Sequence, residues 1–248
     1  MNTAEYFEME KHESSYWWHV GRIRIIDNQH KIHLKNGKKH KMLNVGCGTG
    51  GTIDMLQQYG TVHNVDIADE ALAFMRQKGY KNLKKVSGIA LPYRDNTFDT
   101  VGAFDVLEHI EKDNDALLEW YRVLKPGGKL FLTVPAYTWL WSGHDTALHH
   151  QRRYRRSHMR KMLHSHGFEI KKLSYAIVFS LPLVAGFRML KSITNAKVDS
   201  KTSYVELPTW LNSFFTKLLH AEAWFHRYID FPSGTTVLAV VEKPSTDG

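Results

Sequence analysis

The 248-residue chain holds one cysteine, Cys47. A single thiol excludes an internal disulfide framework and fits a reducing compartment. Acidic residues are in short supply too. There are 25 Asp and Glu against 33 Lys and Arg, a formal charge of +8 before 15 histidines are counted. That surplus favours an anionic partner such as nucleic acid, anionic lipid or a phosphorylated small molecule. It equally fits a surface that is merely basic, because net charge governs association and not a site. Long apolar runs are missing. The uncharged stretch from Tyr175 to Phe187 is interrupted by Pro182 and is too short to cross a bilayer. The start, Met1 to Glu8, lacks a basic segment followed by an apolar one, so no signal peptide is expected and a cytoplasmic location is. Repeats and low-complexity tracts are absent. What remains, 43% hydrophobic and 23% charged residues, is ordinary for a soluble chain with a sizeable core.

The chain is organised around residues 41–66. Met42 to Val45 is a short apolar run of buried-strand type. Gly46, Gly48, Gly50 and Gly51 follow at once, then a helical segment, then a second apolar run ending at Asp66. Glycine permits a tight turn and lets a ligand approach the backbone with no Cβ in the way. The helix behind the turn offers unpaired N–H groups. In a doubly wound sheet the crevice lies beyond the strand C-termini. An acid at the tip of the second strand can accept hydrogen bonds from both hydroxyls of a ribose, so the unit predicts an adenosine-type cofactor. Gly46-x-Gly48-x-x-Gly51 alone also satisfies the dinucleotide pattern, so later residues must separate a nicotinamide cofactor from S-adenosylmethionine.

They do so as a series. Val45-Gly46-Cys47-Gly48-Thr49-Gly50, Asp66, Leu91-Pro92-Tyr93, Phe98-Asp99, Val106-Leu107-Glu108-His109 and Val123-Leu124-Lys125-Pro126-Gly127-Gly128 together resemble the landmarks of the class I S-adenosylmethionine-dependent methyltransferases, in the methyltransferase type 11 and ubiquinone-biosynthesis-like superfamily. The resemblance covers residues 40–175 and resumes in the last strand. It implies an α/β fold: a Rossmann-like, seven-stranded, mostly parallel sheet with helices on both faces, here with a helical insertion before the last strand. It implies S-adenosyl-L-methionine as cofactor and S-adenosyl-L-homocysteine as product. Gly46, Cys47, Gly48 and Gly50 would form the cofactor loop, with Asp66 and Ile67 at the ribose. Ser87, Gly88 and Ile89 would lie at the adenine, and Phe104 and Asp105 near the methionine half. Ser87 stands where the family usually has an aspartate, so the backbone N–H groups of Gly88 and Ile89 are expected to take more of the adenine. A thiol at a helix N-terminus can be reactive, but Cys47 is read as loop lining.

Taken in order, residues 1–37 form an N-terminal helical cover. Glu13 to Arg22 is read as helical, with Trp18 and Arg22 facing cofactor or acceptor, or else with the tryptophans anchoring the helix. Residues 38–178 form the cofactor-binding core. Asp69 and Ser157 are expected to cap helices, and Gly79 and Gly167 to end them. Glu108 and His109 either brace the next helix or, for His109, supply a general base.

Residues 139–156 follow the fifth strand and are expected over the catalytic edge. His150-x-Arg152-Arg153-Tyr154 resembles a signature of a bacterial methyltransferase subgroup linked to glycan, lipid or natural-product pathways. Trp141, Arg152, Arg153 and Tyr154 are candidate acceptor contacts, and His109, His144 and His150 candidate bases. A metal held by His144, Asp145 and His149 is set aside, because no regular ligand spacing is present, so no metal is expected. A solvated basic loop is the plain alternative.

Residues 179–234 are too long for a hairpin. Leu211, Phe214, Phe215, Leu218, Phe225, Tyr228 and Ile229 recur at helical spacing, with Lys191, Lys197, Lys201, Lys217 and Arg227 between and around them. They predict a greasy, basic cap suited to a lipid-linked acceptor or a peripheral membrane contact, or an ordinary core or dimer face. Residues 235–244 complete the sheet.

The functional expectation is methyl transfer to O or N of a small-molecule, sugar or lipid-type acceptor. The rivals are an RNA or protein methyltransferase and a non-catalytic methyltransferase-fold binder. No Asn-Pro-Pro-Tyr-type motif or RNA-binding appendage is present, which argues against nucleic acid. The acceptor and the oligomeric state stay open.

Overall fold

The computed structural model describes residues 3–34, 37–193, 204 and 206–245. Seven strands form one sheet: β1 (His40–Val45), β2 (Gly60–Asp66), β3 (Leu83–Lys85), β4 (Phe98–Phe104), β5 (Leu124–Pro135), β6 (Glu169–Ala176) and β7 (Thr236–Glu242). Their order is β3-β2-β1-β4-β5-β7-β6. Strands β1 to β5 pair in parallel, and β7 runs antiparallel between β5 and β6. This is the mostly parallel, Rossmann-like sheet that the resemblance implied. The helices are α1 (Thr3–Glu13), α2 (Trp17–His33), α3 (Ile53–Gln57), α4 (Asp69–Gln77), α5 (Asp113–Val123), α6 (Gly143–Ala147), α7 (Arg156–Ser165), α8 (Ser180–Ile193) and α9 (Thr209–Phe225).

Strand alternation builds the two layers. Met42 of β1 buries on the face that holds Ile26, Met55 and Phe131. Leu43 and Val45 bury on the other, with Val101, Trp120 and Leu130. Both faces are covered, so β1 reads as a nearly continuous apolar run. Its polar member, Asn44, stays in the core because its Nδ2 donates to Asn64 Oδ1 at 3.2 Å. Register then positions the site. Val45 lies opposite both Val65 and Ala103, so Gly46, Asp66 and Phe104 follow at one level, at the C-terminal edge of the sheet.

Several local expectations shift. The aromatic segment is two helices, with a break at Ser14 to Tyr16. Asp69 and Ser157 sit inside the first turns of α4 and α7. The N-caps are Ala68 and Arg155, neither with a side-chain cap bond. Gly79 and Gly167 do end their helices, at φ of +79° and +82°.

Helix α9 lies along α2. Leu219 presses on Gly21 so closely that a Cβ there would meet Leu219 Cδ1 at 2.1 Å. Glu222 of α9 accepts from Ile177 N at 2.6 Å and Val178 N at 2.9 Å. Ile177 stands at φ +56°, which is costly for a β-branched residue, and these bonds hold it there. The buried side of α9 is Leu219, Glu222 and Ala223, whereas Trp210, Phe214, Trp224 and Phe225 are exposed. Lys217 and Arg227 are exposed too. Lys197, Lys201 and the side chain of Lys191 lie outside the described residues. Among the described residues no helix is long and apolar enough to cross a membrane.

Candidate active site

The glycine loop leaves β1 at Gly46, φ +64°, where a Cβ would stand 2.4 Å from Val106 Cγ2. Gly48, φ +53°, lies against Met9 of α1. Asp66 holds the loop: its carboxylate accepts from Gly48 N and from Ala68 N, each at 2.9 Å. Burial raises the Asp66 carboxyl, while these backbone donors pull the other way. Burial and the nearby Asp66 charge push the Cys47 thiol up, so the loop cysteine is an inert lining group. Gly50 faces Met75 and Tyr80 and does not line the cleft, so its glycine answers to packing.

Helix α1 covers this loop. Glu13 Oε1 accepts from Thr49 Oγ1 at 2.7 Å, and Lys78 stands 3.3 Å from Glu13 Oε2. Sequence reasoning did not single out Tyr6, Met9 or Glu13 as site residues. Their signal, an amphipathic turn ahead of the tryptophans, is too weak to place a helix over a loop so far along the chain.

The cleft has a volume of about 980 Å³ and runs from the glycine loop to the segment after β5. Trp18, Arg22, Gly46, Cys47, Gly48, Asp66, Ile67, Ser87, Gly88, Ile89, Phe104, Asp105, His109, His144, His150 and Arg153 all line it. Gly88 is fixed from beneath by Trp120, whose Nε1 donates to Gly88 O at 3.0 Å. Asp105 leaves β4 in the left-handed region at φ +57° and is ion-paired with Arg22. The Arg22 guanidinium also lies over the Trp18 ring, 4.9 Å from its centroid.

Beyond Asp105 is a buried polar cluster. Arg153 grips Asp145 with Nε at 2.6 Å and Nη2 at 3.0 Å. His150 Nδ1 lies 2.9 Å from the same carboxylate. Burial works against ionisation of Asp145, but His150 and Arg153 hold its carboxyl well below the usual range. An ionised Asp145 accepts a hydrogen bond from His150 Nδ1–H, which leaves Nε2 as the lone-pair atom of the ring, 4.0 Å from Glu108 Oε1. Glu108 is fully buried and neither of its oxygens has a hydrogen-bond partner. Burial, reinforced by Asp105, raises its carboxyl well above the ordinary range. The His109 ring packs edge-on to His150 at 4.7 Å. Burial, then His150, pushes His109 down to about 3.

Other expected contacts fall elsewhere. Arg152 donates to Asp113 at 2.9 Å and to Glu111 O at 2.7 Å. Tyr154 is buried, with its hydroxyl 3.0 Å from Asp113. Both therefore brace the start of α5, and neither lines the cleft. Trp141 is exposed and outside the lining as well. The set His144, Asp145 and His149 is not the cluster formed, because Asp145 is committed to His150, Arg153 and Ser142.

Residues 43–132 match the family model described as a methyltransferase domain. Residues 43–132 therefore carry a methyltransferase domain. Among relatives of this chain, a Mycolicibacterium smegmatis protein named as a probable S-adenosylmethionine-dependent methyltransferase is 27% identical over 163 residues, 64% of this chain and 62% of that one. A ubiquinone biosynthesis O-methyltransferase of Pseudomonas fluorescens is 26% identical, over 54% of this chain and 65% of its own. The chain thus spans less than two thirds of these relatives. An S-adenosylmethionine-dependent methyltransferase from Archaeoglobus fulgidus shares the fold, with a TM-score of 0.61 at 17% identity, over 96% of this chain and 99% of that one.

Proposed function

We propose that this methyltransferase moves a methyl group from S-adenosylmethionine to an oxygen or nitrogen of a small-molecule, sugar or lipid-type acceptor. The observation that carries the reading is the alignment of Gly46, Asp66 and Phe104 at one level of the sheet edge, opening into the covered cleft. The residues fit the group. Gly46 and Gly48 present bare backbone, and the Asp66 oxygens keep lone pairs beyond their two backbone bonds. When bound, S-adenosylmethionine supplies an electrophilic sulfonium methyl.

The chain's own residues then bind, orient and exclude water. Asp66 holds the ribose hydroxyls, and Ser87, Gly88 and Ile89 border the adenine. Phe104, Trp18 and the α1 cover restrict water, and alignment of the acceptor supplies much of the rate. The polar cluster faces the acceptor. If the acceptor is a hydroxyl, its proton must leave near the transfer step. His150, with its tautomer set by Asp145, offers Nε2 as the receiving atom. His144, exposed at the cleft, is the less enclosed alternative.

Helices α8 and α9 are read as a cap, since Phe179, Leu183, Val184 and Phe215, in or just before them, contribute to the cleft wall. Trp210, Phe214, Lys217, Trp224 and Tyr228 recur at helical spacing and are all exposed. Aromatics mixed with basic side chains favour an anionic lipid surface, which would bring a lipid-linked acceptor to the cleft.

Calorimetry with S-adenosylmethionine and S-adenosylhomocysteine tests the reading. Micromolar binding that Asp66→Ala abolishes is expected, followed by acceptor trials that begin with lipid-linked and nucleotide sugars. No binding by the unaltered protein would overturn it in favour of a non-catalytic binder.

A further inference from the structure

We propose that Glu108, His109 and His150 form a binding site for a divalent transition-metal cation at the acceptor end of the cleft. One ligand atom from each lies within 4.8 Å of the others, and among the described residues no other such group of three His, Cys, Asp or Glu is formed. All three line the cleft.

Charge balance gives a second, independent observation. Asp105 has Arg22 and Asp145 has Arg153, but no Lys or Arg pairs with Glu108 among the described residues. Both Glu108 oxygens are buried without a hydrogen-bond partner. Two buried carboxyl oxygens left without a partner are costly, and a cation between them and the two imidazoles would satisfy them.

The surroundings match what a metal-bound histidine needs. Such a histidine donates its other ring N–H to a carboxylate or a backbone carbonyl, which fixes the tautomer and raises ligand basicity. His150 makes this contact with Asp145 at 2.9 Å, and the Leu148 backbone lies beside the His109 ring. Gln151 N, donating to Glu108 O at 2.7 Å, ties the His150 segment to the turn that carries Glu108 and His109.

Two imidazoles and one carboxylate suit zinc, manganese, iron or cobalt better than calcium or magnesium. At metal–ligand distances of about 2.1 Å, the three atoms must draw inward on binding. Three protein ligands leave open positions, and these would receive an oxygen of the acceptor; with a cation bound, His150 Nε2 is occupied and the proton-accepting role falls to His144, which also lines the cleft. That assignment of the open positions rests on the methyl-transfer reading, whereas the cation site itself does not.

Chelator-treated, untagged protein would be titrated with Co2+, followed by visible absorption and by calorimetry, with Mn2+ and Zn2+ in parallel. One equivalent per chain is expected, with a ligand-field band. Glu108→Gln and His109→Asn, shown to be folded by circular dichroism, should weaken binding at least tenfold. Asp145→Asn should weaken it by about 10–100-fold, as loss of an outer partner does. Absence of stoichiometric binding in the unaltered protein overturns the site, whether or not any variant folds. Equal binding by the folded variants overturns it too, since adventitious histidines would then hold the metal. S-adenosylmethionine binding, measured on the same sample, keeps the two readings separate. Cofactor binding without cobalt binding sinks only the metal site, and the reverse sinks only the cofactor.

Discussion

Asp145 sits at the residue-level centre of the site. It closes a capping box with Ser142, receives Arg153 twice and orients His150. Asp145→Asn leaves Arg153 buried without its counter-charge. Breaking one side of a buried pair costs about 3–5 kcal/mol, so a marked fall in the urea midpoint is expected. Nitrogen NMR of the same variant should show His150 losing its Nδ1–H preference, and an unchanged tautomer would refute the role given to Asp145. The sequence marked Arg152, Arg153 and Tyr154 as one cluster. Only Arg153 reaches the cleft. The chain there is extended and bridges Ala136 to Tyr154, and in extended chain neighbouring side chains point in opposite directions. No motif spells out that parity, and Glu108 was legible as a landmark but not as an unpaired buried carboxylate.

At the scale of elements, the informative pair is α2 and α9. Gly21→Ala forces a methyl into Leu219, where a Cβ would also lie 2.5 Å from Leu219 Cβ. Overpacking of this kind costs about 1–3 kcal/mol, and a lowered midpoint in chemical denaturation would register it. Apolar spacing alone would bury the aromatic stripe of α9 and expose the other side. The structure does the opposite. Leu219, Glu222 and Ala223 face inward, because Glu222 is needed for the strained turn at Ile177 and small residues permit close approach to α2. The exposed stripe then makes its own prediction. Flotation with vesicles rich in anionic lipid should recover the unaltered protein, and Phe214→Ser combined with Trp224→Ser should reduce recovery several-fold. Equal recovery, or binding that ignores lipid charge, would remove the membrane reading.

Over the whole molecule, buried neutral histidines dominate the response to acid. Burial lowers His19 to about 3, His30 to about 4 and His109 to about 3, each from an ordinary value of 6.5. The unfolded chain binds these protons at a higher pH than the folded one. Stability is therefore full above about pH 6.5 and falls as pH drops towards the folded values. For each histidine the loss is up to about 1.4 kcal/mol per pH unit crossed between its unfolded and folded values. Thermal melts between pH 7.5 and pH 4 should show a falling midpoint, and a flat profile would contradict it. His30 is stacked on Phe131 at 3.8 Å with its Nε2 unpartnered, so His30→Gln should shallow the slope.

The sequence by itself marked the glycine loop and the acid at the tip of β2, and its series of landmarks implied the sheet and the methyltransferase domain by resemblance. The loop and the acid are local: turn chemistry and a short apolar run are written in neighbouring residues. Tertiary structure alone decided that α1 covers the loop, that Arg22 pairs with Asp105, and that α9 turns Trp210, Phe214, Trp224 and Phe225 outward while Phe215 packs against Trp17. It also decided that His150, from the segment after β5, meets Glu108 and His109, from the turn after β4. These contacts join distant segments, and the orientation of each side chain follows from the packing of whole elements, which spacing along the chain does not encode.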